Sequence, residues 1–166
     1  LLQFARPAAQ PWAGVDEHEP GDVDTAVRDR AALVAPQRSL KEVALKLDVD
    51  AGLPAVSLGH EQLMQVILNL VMNAADAVGA GGNVRIVATR SHTGVELLVE
   101  DDGPGVDARV QAQLFEPFVT TKDVGKGTGL GLAVCRGLVE AAGGSISLDT
   151  EYGRGARFVV ELPARN

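Results

Sequence analysis

The stretch HEQLMQVILNLVMNAADAV, residues 60–78, decides how the rest of the chain is read. Leu63, Val66, Ile67, Leu70, Val71, Ala74 and Val78 recur at helical spacing. They predict a helix over 60–79 whose apolar stripe faces a core. A second stripe runs Gln62, Gln65, Asn69, Asn73, Asp76, with no charged residue between Glu61 and Asp76. A solvated face ordinarily carries Glu, Lys or Arg, and asparagine is a mediocre helix former because its amide competes with the backbone. Asn69 and Asn73 are four apart and share a face. Two readings fit this pair. A side-chain amide oxygen can ligate Mg²⁺ while phosphates and water fill the other positions; alternatively, the amides form a buried pair bonding a neighbouring loop.

Outward from this helix, the pattern alternates between strands and helices. EVALKLDVD (42–50) alternates in strand fashion, NVRIVATRS (83–91) and GVELLVED (94–101) read as two strands around a short turn, and GSISLDT (144–150) and ARFVVEL (156–162) flank the turn YGRG. DVDTAVRDRAALVAP (22–36) is a helix capped by Asp22 or Asp24 and stopped at Pro36; 106–114 is a weak helix and 129–142 a firm one. The expected fold class is α+β: a mixed, at least partly antiparallel sheet with helices packed on one face. Residues 1–6 (LLQFAR) look like a last helical turn stopped by Pro7. Residues 7–21 hold three of the eight prolines and have linker composition. Trp12 in that linker is either a docking anchor or a residue packing on its own domain's edge.

A length of 166 residues fits one domain with a good core. The formal net charge of −7 argues against a nucleic-acid binder, whose footprint is basic. A single cysteine, Cys135, excludes an intramolecular disulfide framework and reads as a small core residue. No apolar run approaches the ~20 residues that span a bilayer. Residue 1 is Leu, and the expectation is a fragment of a longer, cytoplasmic catalytic region whose parent carries sensor segments and an optional inner-membrane anchor. His60-Glu61 fails the zinc-protease pattern because position 64 is Met, and His18 and His92 sit in loop-like surroundings; three scattered histidines and one cysteine make no metal site.

Two further segments carry chemistry. VELLVEDDGPGVD (95–107) is a strand ending in Asp101, Asp102, Gly103, Pro104, Gly105. It is excellent turn chemistry, and it also sets a carboxylate where it could accept from an exocyclic amine such as adenine's, with glycines that let a flat ring approach the backbone. GKGTGLGLAVCRGLVEAAGG (125–144) alternates four glycines and then turns into a helix. It fails the dinucleotide fingerprint, since each candidate third glycine is Leu130, Leu132 or Val134. It fails the Walker loop, since residue 120 is Thr and Gly follows Lys126. What remains is a glycine-rich helix N-terminus, suited to phosphate, flanked by Lys122 and Lys126.

The order of an Asn-x-x-x-Asn helix, an Asp-x-Gly-x-Gly turn, a Phe-containing segment and Gly-x-Gly-x-Gly resembles the catalytic, ATP-binding domain of bacterial sensor histidine kinases, of the Bergerat-fold superfamily shared with DNA gyrase, the mismatch-repair ATPases and a heat-shock chaperone. QVILNLVMNAADAV looks like the N box, DDGPG the first glycine box, LFEPFVTTK (114–122) the F box and GKGTGLGLAV the second glycine box. GRGARF (153–158) is similar to the last, weaker glycine motif, with Ala156 where Thr is usual, and LLQFARP resembles the exit from dimerisation helices.

The resemblance implies a two-layer α/β sandwich with a mostly antiparallel sheet, ATP and Mg²⁺ as cofactors, and Asn73 as the Mg²⁺ ligand with Asn69 toward the phosphates, the pair forming the catalytic positions. It implies Asp101 as the adenine-amine acceptor, with Gly103 and Gly105 shaping the pocket. Residues 107–128 would be an ATP lid, closed onto the following helix by Gly127, Gly129 and Gly131, with Thr128, Lys122 and Lys126 as phosphate contacts. It carries Asp76, Val106, Phe118 and Leu130 into the same ATP site. Residues 1–21 would then be the end of a dimerisation helix and a linker, and 22–166 the ATP-binding domain. The family transfers the γ-phosphoryl of ATP to a histidine and then to a response-regulator aspartate. None of His18, His60 and His92 has the His-Glu/Asp-x-x-Asn-Pro context, so the acceptor histidine is expected upstream of residue 1. The partners implied are that upstream phosphoacceptor domain and a receiver domain, with this stretch a monomer and the whole kinase a homodimer.

Three rivals stand beside this reading. Gyrase-type ATPases carry a general-base Glu one turn before the Mg²⁺ asparagine; here Asn69 stands there, and an amide has no useful basicity. A serine kinase of the anti-sigma type shares the fold, but LLQFARP points to a histidine kinase. A non-catalytic docking module is disfavoured by intact boxes.

Overall fold

The computed structural model describes residues 20–34, 42–117 and 131–165. The LLQFARP entry, Trp12, the linker as far as residue 19, the helix stop at Pro36 and most of the glycine-rich segment lie outside them.

A five-stranded sheet has the order β2-β4-β5-β7-β6, where β2 is Ala44–Val49, β4 Asn83–Arg90, β5 Gly94–Asp101, β6 Ser145–Leu148 and β7 Arg157–Pro163. β4, β5, β7 and β6 pair antiparallel; β2 pairs parallel with β4. Parallel neighbours need a long crossover, and it is supplied by the helix α2, His60–Val78. The sheet is therefore mixed and mostly antiparallel, as expected.

Strand alternation sets the layers. Val84, Ile86 and Ala88 of β4, Val95, Leu97 and Val99 of β5, and Phe158, Val160 and Leu162 of β7 all point into one buried cluster. Opposite them, α2 contributes Leu63, Val66, Ile67, Leu70, Val71, Ala74 and Ala75. The predicted stripe is the buried stripe, except that Val78 is only half-buried and Ala75 joins it. α2 lies over β4 and β5, flanked by α1 (Val23–Val34) and α4 (Gly131–Ala141). Each fully buried Leu or Ile in this layer stabilises by about 1.5–3 kcal/mol.

The other face of the sheet is polar. Glu100, its side chain only 5% exposed, accepts from Arg157 Nη2 at 2.8 Å and lies 3.7 Å from Arg85 Nη1; Arg157 also reaches Asp149 and stacks over the Tyr152 ring at 4.1 Å. These bonds join β4, β5 and β7 to the turn before β7.

Three expectations are corrected. Pro20–Gly21, read as linker, form a short strand β1 paired antiparallel with β3, Val56–Gly59, which the sequence reading leaves unassigned. The weak helix over 106–114 contracts to α3, Ala108–Gln111, capped by Asp107, whose carboxylate accepts from the Arg109 amide at 2.9 Å. α4 ends at Ala141, one residue short of the expected 142; its expected start at 129 lies outside the described residues.

Candidate nucleotide site

The site is assembled around one side and one end of α2. Asp101 is the last residue of β5 and, by alternation with Val95, Leu97 and Val99, points to the helix side of the sheet. It is 3% exposed. Its Oδ1 accepts from the Gly103 amide at 3.0 Å and the Ala156 amide at 3.2 Å. Burial pushes its pKa up, opposed by those two amides, which favour the carboxylate. With Oδ1 held by two donors, Oδ2 is the oxygen left for a ligand. Asp102, next along, plays a different part: it takes Asn83 through both the backbone amide (2.8 Å) and the side chain (2.7 Å), and those bonds hold its pKa down.

The glycines make close approach possible. A Cβ on Gly155 would stand 2.0 Å from the Asp101 carbonyl oxygen, and Gly155 has φ +145, so only glycine fits behind the carboxylate. A Cβ on Gly103 would stand 3.0 Å from the Ala77 carbonyl, which seats the Asp-Gly-Pro-Gly turn against the last turn of α2. A cleft of about 440 Å³ borders the turn, lined by Gly103, Pro104, Gly105, Val106, Gln111 and Gly155 among others.

Asn69 lies two turns back along α2. From Ala77 to Asn69 is eight residues, about 12 Å at 1.5 Å per residue. Its Nδ2 donates to the Gly131 carbonyl at 3.3 Å, and its Oδ1 accepts from Gln65 Nε2 at 2.9 Å. Asn69 is thus tied to the start of α4 rather than to a loop, and it is not paired with Asn73. Asn73, half-buried and one turn nearer Asp101, makes no side-chain hydrogen bond among the described residues. Asp76 is exposed and partnered.

Of the residues expected at the site, the structure places Asp101, Gly103, Gly105 and Val106 at one end, Asn69 and Gly131 at the other, and Asn73 and Asp76 on α2 between them. Phe118, Lys122, Lys126, Gly127, Thr128, Gly129 and Leu130 lie outside the described residues. Sequence reasoning missed the Ala156 amide as a donor to Asp101 and Gly155 as its backing. The GRG motif carried the signal for Gly155; a backbone amide leaves none. It also missed that Cys135, fully buried with its thiol pushed up to about 12 by burial, bonds the Val66 carbonyl at 3.8 Å and so faces α2 beside Asn69.

Residues 59–166 match the model of the histidine kinase-, DNA gyrase B- and HSP90-like ATPases. Sensor histidine kinase ZraS of Escherichia coli O157:H7 is 37% identical over 98% of this chain and 34% of its own length; the chain thus spans about a third of that relative. Among solved structures, full-length ShkA in complex with AMPPNP is 35% identical, with TM-score 0.73 over 88% of this chain and 31% of that one. Histidine kinase ThkA in complex with response regulator TrrA is 26% identical, with TM-score 0.73 over 87% of this chain and 41% of that one. The matched family model covers well over half of the chain, including α2, the Asp101 turn and the glycine-rich segment: the chain belongs to the histidine kinase-, DNA gyrase B- and HSP90-like ATPase family, as a catalytic domain of the histidine-kinase type.

Proposed function

We propose that this domain binds Mg²⁺-ATP along α2 and passes the γ-phosphoryl to a histidine outside this stretch, for relay to the aspartate of a response regulator. The observation that carries the reading is the placement of Asp101: a buried carboxylate at a strand end with one oxygen saturated by backbone amides and the other left for a donor, backed by glycine. That oxygen takes the adenine amine. The 12 Å or so of α2 from Ala77 to Asn69 then leads the nucleotide from its base toward its phosphates at the start of α4. Asn73 offers its amide oxygen to Mg²⁺, which would neutralise phosphate charge during transfer. The residues fit a hard cation: an amide oxygen beside a site for phosphate, with no imidazole or thiolate cluster among the described residues. The glycine segment carrying Lys122, Lys126 and Thr128 serves as the lid, and the partner domains are a phosphoacceptor helical domain and a receiver domain, the latter in keeping with what the ThkA–TrrA complex is by name.

Asn69 distinguishes this from hydrolysis. Its amide cannot take a proton from water, and its oxygen is already occupied by Gln65. The test is incubation of the chain with γ-labelled ATP and Mg²⁺, alone and with the phosphoacceptor domain of a relative. Acid-labile, alkali-stable label on the added domain alone supports the reading. Label on this chain by itself, or fast steady-state phosphate release, overturns it.

A further inference from the structure

The α2–α4 junction has a defined polarity. The Gly131 carbonyl can only accept, so Asn69 must present its NH₂ there, which turns Asn69 Oδ1 toward Gln65 and obliges Gln65 to donate. Gln65 and Asn69 are one turn apart on α2; Gly131 and Cys135 are one turn apart on α4. The Cys135 thiol bonds the Val66 carbonyl at 3.8 Å, one turn along α4 from the Asn69–Gly131 bond. Two adjacent polar ties thus fix the first turn of α4 on α2, at the point where the glycine-rich segment enters the helix.

We propose that Gln65 is a positioning residue for the nucleotide site. By donating to Asn69 Oδ1 it locks the Asn69 amide in the orientation that ties α4 to α2, so that, of the two asparagines, Asn69 acts as a tie rather than a metal ligand and Asn73 keeps its amide oxygen without a hydrogen-bond partner among the described residues. The inference rests on the reading of α2 as the phosphate-side wall. Without the Gln65 donor, Asn69 Oδ1 has no partner on α2, the 3.3 Å bond to the Gly131 carbonyl alone holds the amide, and the side chain is free to swing away from α4. The start of α4 then loses its fixed distance from Asn73, and the phosphate end of the site loosens while the Asp101 end, some 12 Å along α2, is untouched.

Two variants separate donor loss from charge. Gln65→Glu keeps the shape and replaces the donor with an acceptor; Gln65→Met keeps the length and carries neither. Each is compared with the unchanged chain by titration with Mg²⁺-ATP and, separately, with adenosine, and the Asn69 side-chain NH₂ resonances are followed by NMR. Expected are displaced Asn69 resonances in both variants, a Mg²⁺-ATP affinity about tenfold lower (about 1.4 kcal/mol) in Gln65→Glu and lower also in Gln65→Met, and adenosine affinity unchanged in both. A loss confined to Gln65→Glu would assign the effect to charge and overturn the proposal. Equal losses for adenosine and Mg²⁺-ATP would mark a merely structural contact and also overturn it. Unchanged Mg²⁺-ATP binding in both variants overturns this inference alone, whereas failure of the unchanged chain to bind either probe overturns the nucleotide reading with it.

Discussion

Replacing Asp101 by Asn separates folding from recognition, because the two depend on different oxygens. Oδ1 accepts from the Gly103 and Ala156 amides at 3.0 and 3.2 Å, and an Asn side chain retains that acceptor. Oδ2, the proposed partner of the adenine amine, becomes an NH₂ that faces another donor. Losing a hydrogen bond to a charged acceptor costs about 1.5–3 kcal/mol, so the affinity for ATP falls about 10- to 150-fold. Stability moves the other way. Burial raises the Asp101 pKa; the stabilisation linked to its protonated form is fully present below the unfolded-state pKa and is lost as pH rises through the higher folded pKa. At pH 7 the buried carboxylate therefore weakens the unliganded fold relative to a neutral isostere, and the Asp101→Asn substitution leaves the melting temperature equal or higher. The same sign predicts that adenosine affinity of the unchanged chain falls as pH drops through that raised pKa, and that the variant shows no such step. Calorimetry with adenosine and ATP beside a thermal melt reads all three. A variant that melts several degrees lower while keeping full affinity would refute the assignment and make Asp101 a structural residue.

Gly155→Ala places a Cβ 2.0 Å from the Asp101 carbonyl; the overlap and the unfavourable φ should destabilise by on the order of 2–4 kcal/mol in a urea melt. Glu96 and Glu161 are cross-strand partners in β5 and β7, and the neighbouring Glu161 and burial raise the Glu96 pKa. Glu161→Thr should thus stabilise by about 0.2–1 kcal/mol at pH 7, a gain that shrinks as pH falls through the raised Glu96 pKa and the carboxylate pair takes up a proton; a gain that grows on acidification would contradict this. Cys135, fully buried with its thiol pushed up to about 12, should react with a thiol reagent only through unfolding, so rapid labelling of the folded chain would show that the α2–α4 contact opens.

The parts legible in the sequence were those with a period or a fixed spacing. The α2 stripe, the β4–β5 pair and the β6–β7 pair each announce themselves by alternation or helical repeat, and the four motif boxes locate Asp101 and the asparagines. β1 and β3 were not legible. Pro20 and Gly21 carry turn and linker chemistry, and they are a strand only because Val56–Gly59 supplies the hydrogen bonds, a tertiary fact. The contraction of α3 has a similar cause: Asp107 caps its start, but none of its residues is buried, so nothing extends it. The two asparagines looked equivalent on a helical wheel. Their difference comes from Gln65 and from a carbonyl 62 residues away, and only the folded chain shows which amide is occupied and which is free.

The central claim is that a Mg²⁺-ATP site runs along α2 from Asp101 to Asn69. A calorimetric titration of the chain with ATP, with and without Mg²⁺, tests it most directly. The account predicts one-to-one binding that Mg²⁺ strengthens, with the Mg²⁺ dependence abolished by Asn73→Ala. Absence of binding, or binding that ignores both Mg²⁺ and Asn73, would contradict it.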